Sequence, residues 1–337
     1  MTHTTTQAPT AASMPPAPDC GRPALLFAGQ GSQVAGMGRD LAEASSEAMD
    51  FWKQAERISG LPLREIFWEG DEAAMSDTRA LQPALTVVNC NLWRALSERF
   101  GQSLTPFAAA GHSLGEFSAL AAAGVLSPKS VLEITALRGR LMAEADPQGK
   151  GAMAAIVKLD MDAVAAIVEE AAAESGALLV AANRNTPQQT VVSGAREAVA
   201  LAVQKAKERK GRGVELRVSG AFHSPMMAEA NRELAPLLEK TVWNAPRFPV
   251  YCNVDGKPVH DGESAKKSLL RQMVTPVFWV DLLRNLYLAG VRWWLEISPK
   301  AVLGKMVGPS LAAIAAQSDQ LRVDLVDSLS GILNYVM

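Results

Sequence analysis

The chain has 337 residues, with 33 Lys and Arg against 35 Asp and Glu, 48% hydrophobic and 6% aromatic. That is an ordinary globular balance, long enough for one large domain with or without a smaller inserted one, and a net charge of -2 argues against a nucleic-acid or membrane-surface binder. Three widely spaced cysteines, Cys20, Cys90 and Cys252, form no CxxC pair, which speaks against a disulfide framework or a zinc site and for a reducing cytoplasm.

Residues 1–22 are rich in Thr, Ala and Pro and lack a basic start followed by an apolar run, so they read as a disordered tail rather than a secretory signal. The most apolar stretch, 107–126, is interrupted by His112, Ser113 and Glu116, and no transmembrane span is expected. Order begins with a buried strand over 23–27, ended by the glycine loop Gly29-Gln-Gly-Ser-Gln33. Helices are expected over 37–56 and 86–99, a strand over 107–111 and a helix over 114–123. Such alternation predicts a parallel sheet covered on both faces.

From 151 to 218 the pattern changes to strand 152–158, helix 161–174, strands 177–182 and 190–192, helix 196–208 and strand 214–218. This β-α-β-β-α-β order is the ferredoxin-like arrangement. The predicted fold class is therefore α/β, a hydrolase-like large domain (23–150 and 219–337) with a central, mostly parallel sheet and an inserted ferredoxin-like small subdomain (151–218). Beyond the insertion come a strand over 248–253 closed by Asp255-Gly256, a helix over 280–288, a strand over 291–297 and a helix opening near Pro299.

The sharpest local signal is Gly111-His112-Ser113-Leu114-Gly115, a GxSxG pentapeptide where a predicted strand meets a predicted helix. That is the context of a nucleophile elbow, with Ser113 exposed at a helix N-terminus whose amides favour developing negative charge. The bland alternative is a glycine-lined turn with a serine cap. A serine needs a base, and the chain has four histidines. His3 lies in the tail, His260 in a polar loop, and His112 adjoins the serine and should point away from it. His223 is left, either as the base or as an inert, hydrogen-bonded histidine.

Arg138 falls in the middle of the apolar stripe Val131, Ile134, Thr135, Leu141 and Met142 of a helix expected over 131–145. A buried guanidinium requires an anionic partner, either a protein carboxylate or the carboxylate of a substrate. The loop at Gly29 lacks the third glycine of a dinucleotide fingerprint and the Gly-Lys-Ser/Thr of a P-loop. It reads as a plain tight turn or as a presenter of backbone N–H groups to an oxyanion. The cationic run Lys205, Lys207, Arg209, Lys210 and Arg212 reads as a solvated helix end, with docking of an acidic partner as the minority reading.

Taken together, GQGSQ after the first strand, LQPA at 81–84, GHSLGE around Ser113, an arginine 25 residues beyond that serine, AFHS at His223 and RQMVTPVFW around Gln272 resemble the malonyl-CoA:acyl carrier protein transacylase family. The resemblance implies that Ser113 is the nucleophile and His223 its base, oriented by a backbone carbonyl near Gln272. It implies an oxyanion hole from the backbone N–H groups of Gln30 and Leu114, and Arg138 pairing with the malonyl carboxylate. Phe222 would exclude a methyl branch at the substrate α-carbon, giving a preference for malonyl over methylmalonyl.

The implied reaction is ping-pong transfer from malonyl-CoA, through a malonyl-serine ester, to the phosphopantetheine thiol of acyl carrier protein. It needs no metal and no cofactor, and the chain is expected to act as a cytoplasmic monomer in fatty-acid synthesis. Ala28, where proline is usual, is expected to loosen the glycine loop, and Ser298 stands where glycine is common. The competing readings are a serine esterase or thioesterase, an acyltransferase of a polyketide pathway, and a non-catalytic module binding a carrier protein or CoA.

Overall fold

The structure is a computed structural model that describes residues 21–337. Cys20, His3 and the tail expected over 1–22, up to its last two residues, lie outside the described residues. Ten strands among the described residues form two sheets. The chain makes β1 (Ala24–Phe27) and β2 (Ala108–Gly111), then leaves for β3 (Gly151–Val157), β4 (Leu179–Thr186), β5 (Gln189–Ala195) and β6 (Arg212–Glu215). It returns with β7 (Val250–Tyr251), β8 (Pro258–Val259), β9 (Trp293–Ile297) and β10 (Arg322–Val326).

The larger sheet runs β10-β9-β1-β2-β7-β8. Its strands pair in parallel except for the β7–β8 hairpin. Along β1 the pleat sends Leu25 and Phe27 into one core and Ala24 and Leu26 into the other, which is why this strand is apolar at every position. Helices cover both faces, and the loops after β1, β2 and β7 gather at one edge, the carboxyl ends of the parallel strands, where open α/β sheets place their sites.

The smaller sheet runs β4-β5-β3-β6 and is antiparallel. The chain passes through it as β3, helix Met161–Ser175, β4, β5, helix Arg196–Glu208 and β6, the element order expected over 151–218. One face, through Ala154, Ile156 and Val192, packs on these two helices, against Ala202 among others. Met153, Ala155 and Val191, on the opposite face, join the main core. A seam ties this sheet to the larger unit: Val277 N–H donates to the Ala182 carbonyl (2.8 Å) and Arg184 N–H to that of Val277 (2.9 Å).

Several expected boundaries shift, each for a local reason. The helix expected over 37–56 is two, Arg39–Ala44 and Ser46–Ser59, divided at Ser45, whose side chain caps the second. The helix expected from 86 starts at Thr78, capped by Asp77, and carries Pro83 in its second turn, where proline costs one backbone hydrogen bond without ending the helix. β6 spans Arg212–Glu215 rather than 214–218, and the helix expected near Pro299 opens at Gly304.

The delay after Pro299 has a cause in buried Glu296. Its Oε1 accepts from Ser298 Oγ (3.1 Å), Val302 N (2.8 Å) and Leu303 N (2.9 Å), and its Oε2 from Gly304 N (2.8 Å). The carboxylate thus organises the turn and caps the helix Gly304–Leu311. Ser298, buried and bonded to Glu296 and to the Lys300 carbonyl, has a structural role there. Glu296→Ala is expected to lower the unfolding free energy by about 3 kcal/mol or more, since buried donors lose their acceptor. An unchanged urea midpoint would show that those donors find other partners.

Candidate active site

The GxSxG segment forms the turn between β2 and the helix Leu114–Ala122. Ser113 sits at φ 50, ψ -104, a strained conformation that lifts its side chain clear of the turn. Both glycines are required by close approach. A Cβ on Gly111 would lie 1.9 Å from the Gly115 carbonyl carbon, and one on Gly115 would lie 1.9 Å from the Phe27 carbonyl oxygen.

Ser113 Oγ lies 2.7 Å from His223 Nε2. His223 Nδ1 lies 3.1 Å from the Gln272 carbonyl and 3.2 Å from that of Thr275. Both are acceptors only, so the proton belongs on Nδ1 and Nε2 is left to accept from the serine. His223 is itself at φ 55. Burial, seconded by the charges of Arg138 and His112, holds its pKa down to about 3, against the pull of the two carbonyls. The imidazole is therefore neutral, with the unprotonated Nε2 facing the serine hydroxyl.

Arg138 is buried on the helix Pro128–Glu144, as its place on an apolar stripe required. Its Nη1 donates to Gln82 Oε1 (2.7 Å), and its Nη2 to Gln272 Oε1 (3.0 Å) and Ser113 Oγ (3.2 Å). The guanidinium also lies over the Phe117 ring, 5.4 Å from its centroid. These partners are neutral, and the protein carboxylate weighed as its partner is not among them. Burial lowers the Arg138 pKa to about 10, with the nearby Glu116 charge opposing, so the group stays cationic.

The glycine loop packs against the elbow: a Cβ on Gly29 would fall 2.6 Å from the His112 carbonyl oxygen and 3.4 Å from Leu114 N. Ser32 closes the loop with bonds from Oγ (2.8 Å) and N (3.2 Å) to the Gly29 carbonyl. Asn89 Nδ2 donates to the Ala28 carbonyl (3.0 Å), an anchor that acts against the loosening expected from the missing proline. Leu114 opens the helix directly after the serine, and Gln30 follows Gly29 in the loop packed against that turn.

His112 does point away, its Nε2 lying 2.8 Å from Asn185 Oδ1 and its ring packing on Trp279 at 5.3 Å. His260 is exposed. The Phe222 ring is buried in the main core, its Cε1 turned back towards Gly220, while its carbonyl accepts from Ser193 Oγ (2.7 Å).

Three further residues belong to the site. Gln82 lies in the LQPA motif, which offered a position and no role. Asn253 clamps the elbow from the end of β7: its Oδ1 accepts from Ser113 N (2.7 Å) and its Nδ2 donates to the Gly111 carbonyl (2.7 Å). Its place after a strand of the same sheet is the signal that could have found it. Glu116, fully buried on the first turn after the serine, accepts from Gln272 Nε2 (2.8 Å) and Asn253 N (3.2 Å). Burial pushes its pKa up to about 7 against the pull of Gln272, Cys252, Asn253 and Arg138.

The chain is similar to known proteins over most of its length. The acyl transferase domain family matches residues 24–323. The chain is 35% identical over 315 residues to the malonyl CoA-acyl carrier protein transacylase of Haemophilus influenzae, covering 93% of this chain and 99% of that one. It is 38% identical over 286 residues to the protein of the same name in Bacillus subtilis, with 84% and 89% covered. It superimposes with a TM-score of 0.84, at 34% identity and with 93% and 98% covered, on a malonyl-transacylase solved in complex with a type II PKS acyl-carrier protein.

Proposed function

This chain belongs to the acyl transferase domain family, and from that premise we propose the reaction and the part each residue takes in it. The enzyme is an S-malonyltransferase that moves a malonyl group from malonyl-CoA to the phosphopantetheine thiol of acyl carrier protein. One observation supports this reading above the others: base and cation converge on a single oxygen, with Ser113 Oγ in hydrogen-bond contact with both His223 Nε2 and Arg138 Nη2.

Ser113 Oγ attacks the thioester carbonyl while its proton passes to His223 Nε2. The oxyanion is met by the N–H groups of Gln30 and Leu114, fixed donors that need no reorganisation as charge develops. The C–S bond then breaks, His223 returns the proton to the leaving CoA sulfur, and a malonyl-serine ester remains. The carrier thiol enters, gives its proton to His223, attacks the ester carbonyl and leaves as the malonyl thioester, the proton going back to Ser113. The Gln272 and Thr275 carbonyls do for His223 what a carboxylate does in hydrolase triads.

Arg138 receives the free carboxylate of the malonyl group, a planar anion suited to its fork of donors. This distinguishes the reading from a serine esterase or thioesterase, for which a buried cation beside the nucleophile has no use. Phe222, next to the base but with its ring in the core, would disfavour a methyl branch only by stiffening the wall beside His223. The inserted β-α-β-β-α-β unit is a ferredoxin-like subdomain, a reading supported by its strand order β4-β5-β3-β6. No metal or cofactor takes part, since base, nucleophile and oxyanion donors are all supplied by the chain. The unpaired Cys90 and Cys252 suit a reducing cytoplasm, where a monomer supplies fatty-acid synthesis. A polyketide carrier is the second reading, favoured by the solved relative bound to one.

Intact-protein mass spectrometry after brief incubation with malonyl-CoA tests the proposal. The expected result is one malonyl adduct that persists in water, is discharged by carrier protein and forms less readily from methylmalonyl-CoA. Release of free malonate and CoA without an adduct would establish a hydrolase instead. Discharge by fatty-acid and polyketide carriers in parallel distinguishes the two pathways.

A further inference from the structure

Gln272 serves two groups at once. Its carbonyl faces His223 Nδ1 and its side-chain Oε1 faces Arg138 Nη2. An amide can lie either way round, and the flipped form would turn its NH2 onto the guanidinium, donor against donor. The orientation is set by what the NH2 meets: the Ser113 carbonyl (2.8 Å) and Glu116 Oε2 (2.8 Å). Glu116 Oε1 is occupied in turn by Asn253 N–H, and the neighbouring Cys252 thiol also bonds to this carboxylate. Among the described residues Glu116 makes no salt bridge, although a buried carboxylate without one is costly. A glutamine here could not replace it, because one of its two termini would present N–H to an N–H already there.

The geometry assigns Glu116 as a positioning residue that locks the Gln272 side-chain amide and thereby holds Arg138 ready for an acyl group bearing a carboxylate. This rests on the reading of Arg138 as the partner of the malonyl carboxylate. Acetyl-CoA presents no carboxylate, so the ratio of malonyl to acetyl acylation rates isolates the hold on Arg138. Effects on the serine or on His223 act on both substrates and largely cancel.

Single-turnover acylation of the full chain by malonyl-CoA and by acetyl-CoA supplies that ratio. Glu116→Gln is expected to lower it roughly tenfold or more, the loss of a hydrogen bond to a charged group expressed as a rate. Gln272→Met is expected to lower it by a similar factor, and the double variant no further, because Glu116 acts through Gln272. The wild-type ratio should also rise as pH increases through about 7, where Glu116 loses its proton and becomes an acceptor on both oxygens. The other groups near it titrate elsewhere: Arg138 at about 10, His223 at about 3, and Cys252 well above its usual range.

A Glu116→Gln enzyme with the wild-type ratio overturns the inference. So does additivity in the double variant. Should Glu116→Gln fail to fold, the wild-type profile decides, and a ratio that stays flat across that pH overturns it. Failure of the wild-type enzyme to form any malonyl adduct would instead remove the underlying reading of the site.

Discussion

Ser113→Ala is expected to abolish the malonyl adduct and to reduce transfer to carrier protein by at least ~10^4-fold, the scale on which serine enzymes lose activity with their nucleophile. The substitution removes the one oxygen on which His223 and Arg138 converge, so no acyl bond can form and the proton relay has nothing to act on. It should leave the fold intact. The elbow is held by the Asn253 clamp on the Ser113 and Gly111 backbone and by the fit of Gly115 against β1, none of which uses the hydroxyl. Mass spectrometry and circular dichroism on the same sample check both halves. A surviving adduct would place the nucleophile elsewhere.

Arg138→Ala is expected to act on selectivity. Truncating one member of a buried charged pair costs about 2–5 kcal/mol, which is roughly 30-fold to several thousandfold in kcat/KM for malonyl-CoA. Acetyl-CoA should be affected far less, so the preference between them collapses. Arg138→Lys should fail nearly as badly, because an ammonium cannot reach Gln82 and Gln272 together as the fork does. A second consequence concerns His223, whose pKa is held down by burial first and by Arg138 next. Removing the cation lets that pKa rise, so the acidic limb of acetyl acylation should move to higher pH. Unchanged selectivity would mean that the substrate carboxylate is held elsewhere.

Much of this site could be read before any fold was known, because its parts carry local signatures. The pentapeptide at Ser113 stands where a run with strand character meets one with helical character, and the strain at φ 50 is what its flanking glycines announced. Arg138 was conspicuous as a charge on an apolar stripe, and burial confirms the stripe. His223 was reached by elimination among four histidines. What the sequence did not reveal was the role of three polar residues, two of them inside motifs already noted. Gln82, Glu116 and Asn253 are ordinary in composition, and their partners are distant: Gln82 meets Arg138 across 56 residues, and Asn253 meets Ser113 across 140.

By itself, then, the sequence determined the class of fold, the place of the serine elbow and the kinds of group around it, since periodicity, turn chemistry and a misplaced charge are all local properties of a chain. The tertiary structure decided the rest: which carbonyls orient His223, that Arg138 is held by two glutamines rather than a carboxylate, and that a buried glutamate stands behind one of them. A hydrogen-bond network closes only when strand ends from separate parts of the chain arrive at one sheet edge. The burial that moves Glu116 and His223 from their ordinary pKa values exists only once the core has formed around them.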